Sequence, residues 1–228
     1  MTVALLSMAI ATACVVGRSL RDGARRRYEL GLAAASAALW IGYQVYDTMH
    51  NGRDPGHSLP LQFCDFAALI SVLEFGRPSR RVQALAWFWG VALSSQALVT
   101  PDLAGGPTTI AFWAFWLYHF FIVGSGIYAV AARGFRPAWS DLRFAIGLGL
   151  VYAVAVFAVD AAFDLNYGYF GRATPARPTL LDALGPWPLR VLLMVVLGAV
   201  AMTLFQLPWV VRRRALHHAE ARGTGEAG

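Results

Sequence analysis

Seven apolar runs succeed one another along the chain, at residues 2–17, 28–49, 58–75, 82–100, 109–132, 142–163 and 189–211. A helix needs about 17 to 25 apolar residues to cross a ~30 Å hydrocarbon core, so each run reads as a membrane span. The first and third are short and require a change of tilt or a locally thinned bilayer. No run alternates with the period of a strand, and no fixed repeat or soluble linker domain stands out. Breakers fall between the runs: Asn51-Gly52, Pro55-Gly56, Gly105-Gly106-Pro107, Arg136-Pro137, and Pro175 to Pro178. The longest connection, Asn166 to Pro188, ends in Gly185-Pro186-Trp187-Pro188 and has the length of a lid or re-entrant piece. The fold expected is all-α, a polytopic membrane helix bundle of about seven helices forming one domain over 1–211. A short basic tail, 212–228, is expected to be disordered.

Charge orients this bundle. All 19 basic side chains are arginine. Arg18, Arg21, Arg25, Arg26, Arg27, Arg77, Arg80, Arg81, Arg133, Arg136, Arg143, Arg212, Arg213, Arg214 and Arg222 fall on one side, against Arg53, Arg172, Arg177 and Arg190 on the other. The positive-inside rule then puts the N-terminus outside and the C-terminus in the cytoplasm. Composition agrees with a membrane protein: 57% of residues are hydrophobic and only 14% charged, where soluble domains carry about a quarter. The net charge of +6 sits between apolar runs, an arrangement for orienting helices rather than gripping nucleic acid. Arg18 follows the first run and no basic residue precedes it, the reverse of a secretory signal, so this run is expected to be retained. Cys14 and Cys64 both lie inside apolar runs, with no spacing that suggests a disulfide.

Polar residues inside spans are costly and mark candidate sites. Here they gather toward one end: Gln44 and Asp47, then Gln62, Cys64 and Asp65, then Ser94, Ser95 and Gln96, then His119, then Asp160 and Asp164. Glu74 and Gln206 lie near the opposite end, Glu74 within reach of Arg77 or a neighbouring arginine. Helical rise puts Cys64 about 9 Å and His119 about 15 Å deep, a gap that side chains and tilt can bridge. A thiolate is a nucleophile and an imidazole its usual base. From the residues alone the plainer reading leads: a lone span cysteine as small apolar filler, a lone span histidine as a helix–helix hydrogen bonder.

Other groupings are weaker. Asp160 and Asp164 are spaced i,i+4 and could bind a cation or simply meet water and Arg172, the solvated reading being preferred. Asp47, His50 and His57 lack a metal-ligand spacing, and no metal site or cofactor is expected. Within the run Phe112–Tyr118, Phe115 and Trp116 share the His119 face and could line an acyl pocket.

The string Leu59-Pro60-Leu61-Gln62-Phe63-Cys64-Asp65-Phe66 resembles a signature of the YwaF family of bacterial membrane proteins, whose animal relatives are the transmembrane-protein-164 group. Gln96 to Asp102, His119, Asn166-Tyr167 and Gly185 to Pro188 follow in the family's order. Gln62 stands where many members have histidine, and Phe120 where glycine is common. The resemblance implies a helical membrane fold related to the androgen-induced-gene-type lipid hydrolases, with Cys64 as nucleophile and His119 as base. Asp65, Gln96, Asn166 and Tyr167 become supporting residues that orient groups or donate to an oxyanion. The function expected is a lipid acyltransferase or hydrolase acting through a thioester on a membrane acyl ester, in a polar cavity open to the outer side of a bacterial inner membrane. A non-catalytic transporter or binding protein using the same cavity is the alternative, and a membrane scaffold a third. Enzymatic activity, substrate, acceptor and oligomeric state are left open by the residues.

Overall fold

A computed structural model describes residues 2–50, 59–101, 106–172 and 182–225. Among these there is no strand. The long helices are α1 (Thr2–Ser19), α2 (Asp22–His50), α3 (Phe63–Gly76), α4 (Arg80–Val99), α5 (Ile110–Ala131), α6 (Trp139–Phe163) and α7 (Leu189–Gly225). They follow the apolar runs with shifts at the ends. Ser79 caps α4 by accepting the Val82 N–H, and Thr109 caps α5 by accepting that of Phe112, so both start where a hydroxyl replaces the missing carbonyl. Helix α7 continues past the apolar run to Gly225.

Five helices, α1 and α4 to α7, are long and apolar enough to cross a membrane, α7 over Leu189–Arg212. The chain is a multi-pass membrane protein. Two of the seven expected spans fall short of that measure for different reasons. Helix α2 is long but carries charge at its start and polar side chains along its length. Helix α3 has 14 residues, about 21 Å at helical rise, because the chain turns at Leu59–Leu61, where Leu61 N–H donates to the Leu59 carbonyl, and is still extended at Gln62. Large apolar side chains stand exposed on the outer helices, among them Met8, Val15, Val151, Val154, Leu192 and Leu204, as contact with lipid requires.

Helix α3 sits inside the bundle, packed on α2, α4 and α5. Its hydrophilic side chains face inward. Asp65, Ser71 and Glu74 are all buried, and Ser71 Oγ lies 2.6 Å from Ser36 Oγ of α2. Leu69 and Leu73 stay exposed on the opposite side, so α3 falls short of a full span by its length and not by its polarity. Helix α4 is wound as a π-helix over Ala86–Leu93, a widened turn of the kind found at functional sites. There Gly90 lets α4 meet the backbone of α5: an added Cβ would stand 2.7 Å from the Ile122 carbonyl oxygen. Gly126 on α5 returns the approach, its missing Cβ leaving room for the Ala86 carbonyl.

Candidate functional site

The start of α3 is held from α6 and from the short turn at Tyr167–Tyr169. Leu59 N–H donates to Tyr167 Oη at 3.0 Å, Tyr152 Oη donates to the Leu61 carbonyl at 2.9 Å, and Gly168 N–H donates to Gln62 Oε1 at 2.9 Å. Irregular backbone in an apolar bundle is tolerated where its polar groups are paired inside the protein, and these bonds do that. Asp65 closes the first turn of α3 by accepting the Gln62 N–H through Oδ2 at 3.1 Å. Its other oxygen, Oδ1, accepts the Tyr118 hydroxyl of α5 at 2.8 Å, in a fully buried bond.

Cys64 occupies the same first turn, half-buried and unoxidised. It packs with Ala67, Ala68, Tyr118, Ile122 and Trp40. The Ser94 hydroxyl of α4 lies beside the thiol. Ser94 Oγ also donates to the Trp89 carbonyl at 2.9 Å, and Ser94 N–H reaches the same carbonyl across the widened turn. The π-winding of α4 therefore fixes the serine beside the cysteine. Trp40 Nε1 is buried and approaches the Asp65 carboxylate without completing a hydrogen bond.

His119 is buried on α5 next to Tyr118. Its Nδ1 lies 2.9 Å from the Phe115 carbonyl oxygen. A carbonyl only accepts, so Nδ1 carries the proton, and in the neutral ring Nε2 presents the lone pair. Phe115 lies against the imidazole with ring centres 4.2 Å apart, and Trp116 is buried with its indole N–H lacking an acceptor among the described residues. No hydrogen bond or ring contact joins Cys64 to His119. Among the contacts between their helices is the Asp65–Tyr118 bond, one residue along the chain from each.

The remaining expected residues lie apart from this pair. Gln96 is exposed at the start of the last turn of α4. Asn166 Oδ1 accepts the Gly171 N–H at 3.0 Å, and Tyr167, wholly buried, serves the Leu59 backbone, so both stitch a cap over the bundle end. The same cap separates two aspartates read as a pair. Asp160 is buried and accepts the Tyr167 N–H at 3.0 Å, while Asp164 takes a left-handed conformation (φ 54°) that ends α6 and turns it to the exterior. No cluster of metal-ligating side chains occurs among the described residues. His57 and the side chain of His50 lie outside them.

A buried ionic cluster at the far end of α3 escaped the hydropathy reading. Glu29 of α2 accepts Arg25 Nε at 2.9 Å and the Tyr128 hydroxyl at 3.0 Å, and pairs with Arg133 Nη2 at 3.1 Å. Arg133 Nε also lies 3.1 Å from Glu74 Oε1. Glu74 thus pairs across helices with Arg133 rather than with the adjacent Arg77. The one local signal was the i,i+4 spacing of Arg25 and Glu29. Nothing in the sequence pointed to Tyr128 or Arg133 as their partners.

Compared with known proteins, residues 1–206 match the model of the TMEM164 family. Neither the curated proteins nor the solved structures gave a match.

Proposed function

This chain belongs to the TMEM164 family, and from that premise we propose that it is a lipid acyltransferase or hydrolase of a bacterial inner membrane, with Cys64 as nucleophile and His119 as base. The observation that carries the reading is the buried Tyr118–Asp65 bond. It ties the helix of the thiol to the helix of the imidazole at the residues adjoining both.

Local chemistry supports the roles. Cys64 lies in the first turn of α3, beside the Ser94 hydroxyl. The Nδ1–Phe115 bond leaves His119 Nε2 free to take a proton. The Cys64 thiolate attacks the carbonyl carbon of an acyl ester, forming a C–S bond. The ester C–O bond breaks, and the alcohol leaves with the proton that His119 took from the thiol. Water or a lysolipid hydroxyl then gives its proton to His119 and attacks the thioester. The C–S bond breaks and Cys64 is restored. Trp40 packs against the same residues as Cys64 and directs its indole N–H toward Asp65, so it helps to place that carboxylate. Asp65 then acts as a positioning residue through Tyr118, and Phe115 and Trp116 offer apolar surface for an acyl chain.

The test is covalent labelling of the purified protein with an electrophilic acyl probe. Labelling abolished by Cys64→Ala and slowed by His119→Ala is the expected result. Labelling unchanged by Cys64→Ala overturns the proposal.

A further inference from the structure

At the C-terminal end of α3, about 18 Å from Cys64 at helical rise, a cavity of about 570 Å³ opens between the starts of α2 and α4. Arg25, Arg26, Arg80 and Arg133 line it, together with Ser79 and Gln83. Two carboxylates also face it, Asp22 and Glu29. The four arginines are not equivalent. Arg25 and Arg133 are engaged by Glu29, and Arg80 is paired with Asp141 through two contacts of 3.0 and 2.6 Å. Arg26 bonds only to backbone carbonyls, those of Phe75 at 3.4 Å and Gly76 at 2.6 Å. Its charge has no carboxylate against it among the described residues.

Besides Asp22, one turn before it on α2, Arg26 shares this cavity with groups that can donate. Ser79 Oγ accepts the Val82 N–H, which leaves its own proton to donate. The first turn of α4 presents N–H groups with no intrahelical acceptor. Arg80 keeps 59% of its side chain exposed despite its bond to Asp141. A forked cation held in place by carbonyls, a second exposed guanidinium, a hydroxyl and a helix start suit a tetrahedral oxyanion better than a carboxylate or a halide.

We propose that this cavity binds a phosphate group, carried by an anionic lipid or free in solution, on Arg26, Arg80, Ser79 and the first turn of α4. The site is separate from the Cys64 end and does not depend on chemistry there. Its opening at the end of the bundle admits either source.

The test uses the full chain purified in a phosphate-free buffer. Its unfolding midpoint is followed with inorganic phosphate against chloride at equal ionic strength. It is followed again in vesicles of phosphatidylcholine with and without phosphatidylglycerol. A rise with phosphate in detergent supports the site and assigns a free anion; a rise confined to phosphatidylglycerol supports it and assigns a lipid headgroup. In either case Arg26→Gln and Arg80→Gln each weaken half-saturation about tenfold, while Cys64→Ala leaves it unchanged. The reading is the anion-dependent increment, so a variant that merely unfolds earlier still reports. No increment from either anion, or one undiminished in both arginine variants, overturns the proposal.

Discussion

At the N-terminal end of α3, Asp65 is held by neutral donors, the Tyr118 hydroxyl and the Gln62 N–H. At its C-terminal end, Glu74 faces Arg133, and Arg26 covers the last carbonyls. Both carboxyl groups are buried and lie nine residues apart on one helix. The helix dipole separates their needs: a carboxylate is favoured in the first turn and opposed in the last. Asp65 is therefore compatible with uncharged partners. Glu74 requires a cation, and the structure supplies one that also serves Glu29. The end whose carboxylate is held by neutral donors carries the thiol; the other is a cationic, ion-paired anchor.

The comparison can be broken most severely at Arg133. Arg133→Met leaves Glu29 and Glu74 buried without their shared cation and is expected to destabilise by about 3–5 kcal/mol. Thermal unfolding in detergent measures it, and adding Glu74→Gln should restore part of the loss. No loss in the single variant means that the two carboxyls do not depend on that arginine. Next in size, Tyr118→Phe removes one neutral donor from Asp65. The expected loss is about 1–3 kcal/mol, with probe labelling of Cys64 slowed and the anion response at the other end unchanged. Labelling at the wild-type rate would detach Tyr118 from the site.

Ser94→Ala sharpens the contrast without touching a charge. A stability change of about 1 kcal/mol or less is expected, together with a displaced pH profile of Cys64 labelling. A merely structural serine would leave that profile in place. The smallest effect belongs midway along α3, where Ser36→Ala removes the bond to Ser71. Buried hydrogen bonds between membrane helices average about 0.6 kcal/mol, so unfolding should shift slightly and labelling not at all.

Much of this architecture is legible in the sequence. The apolar runs locate the helices, the breaks between them fall where the helices end, and the string around Cys64 marks the family. The legible part follows from local rules, since a span must be apolar and a cap must supply an acceptor. Helix α3 is where that reading weakens: the run at 58–75 reads as one span, yet the helix starts only at Phe63, and Leu59, Leu61 and Gln62 stay outside it, paired with Tyr167, Tyr152 and Gly168. Those partners lie 91 to 108 residues away, beyond the reach of any periodicity.

The candidate site divides in the same way. Residue type nominated Cys64, Asp65 and His119. It could not say that Asp65 turns to Tyr118, that the imidazole proton is held by Phe115, or that a π-turn sets Ser94 beside the thiol. Asn166 and Tyr167 have the chemistry of a site and the positions of a cap. By itself the sequence determined a multi-pass helical membrane protein and its family, because partition into lipid is additive over each run. Only the tertiary structure decided which polar side chains meet, because a bundle pairs them through helix rotation and close approach. Glu29, Glu74 and Arg133, from three parts of the chain, are joined by nothing else.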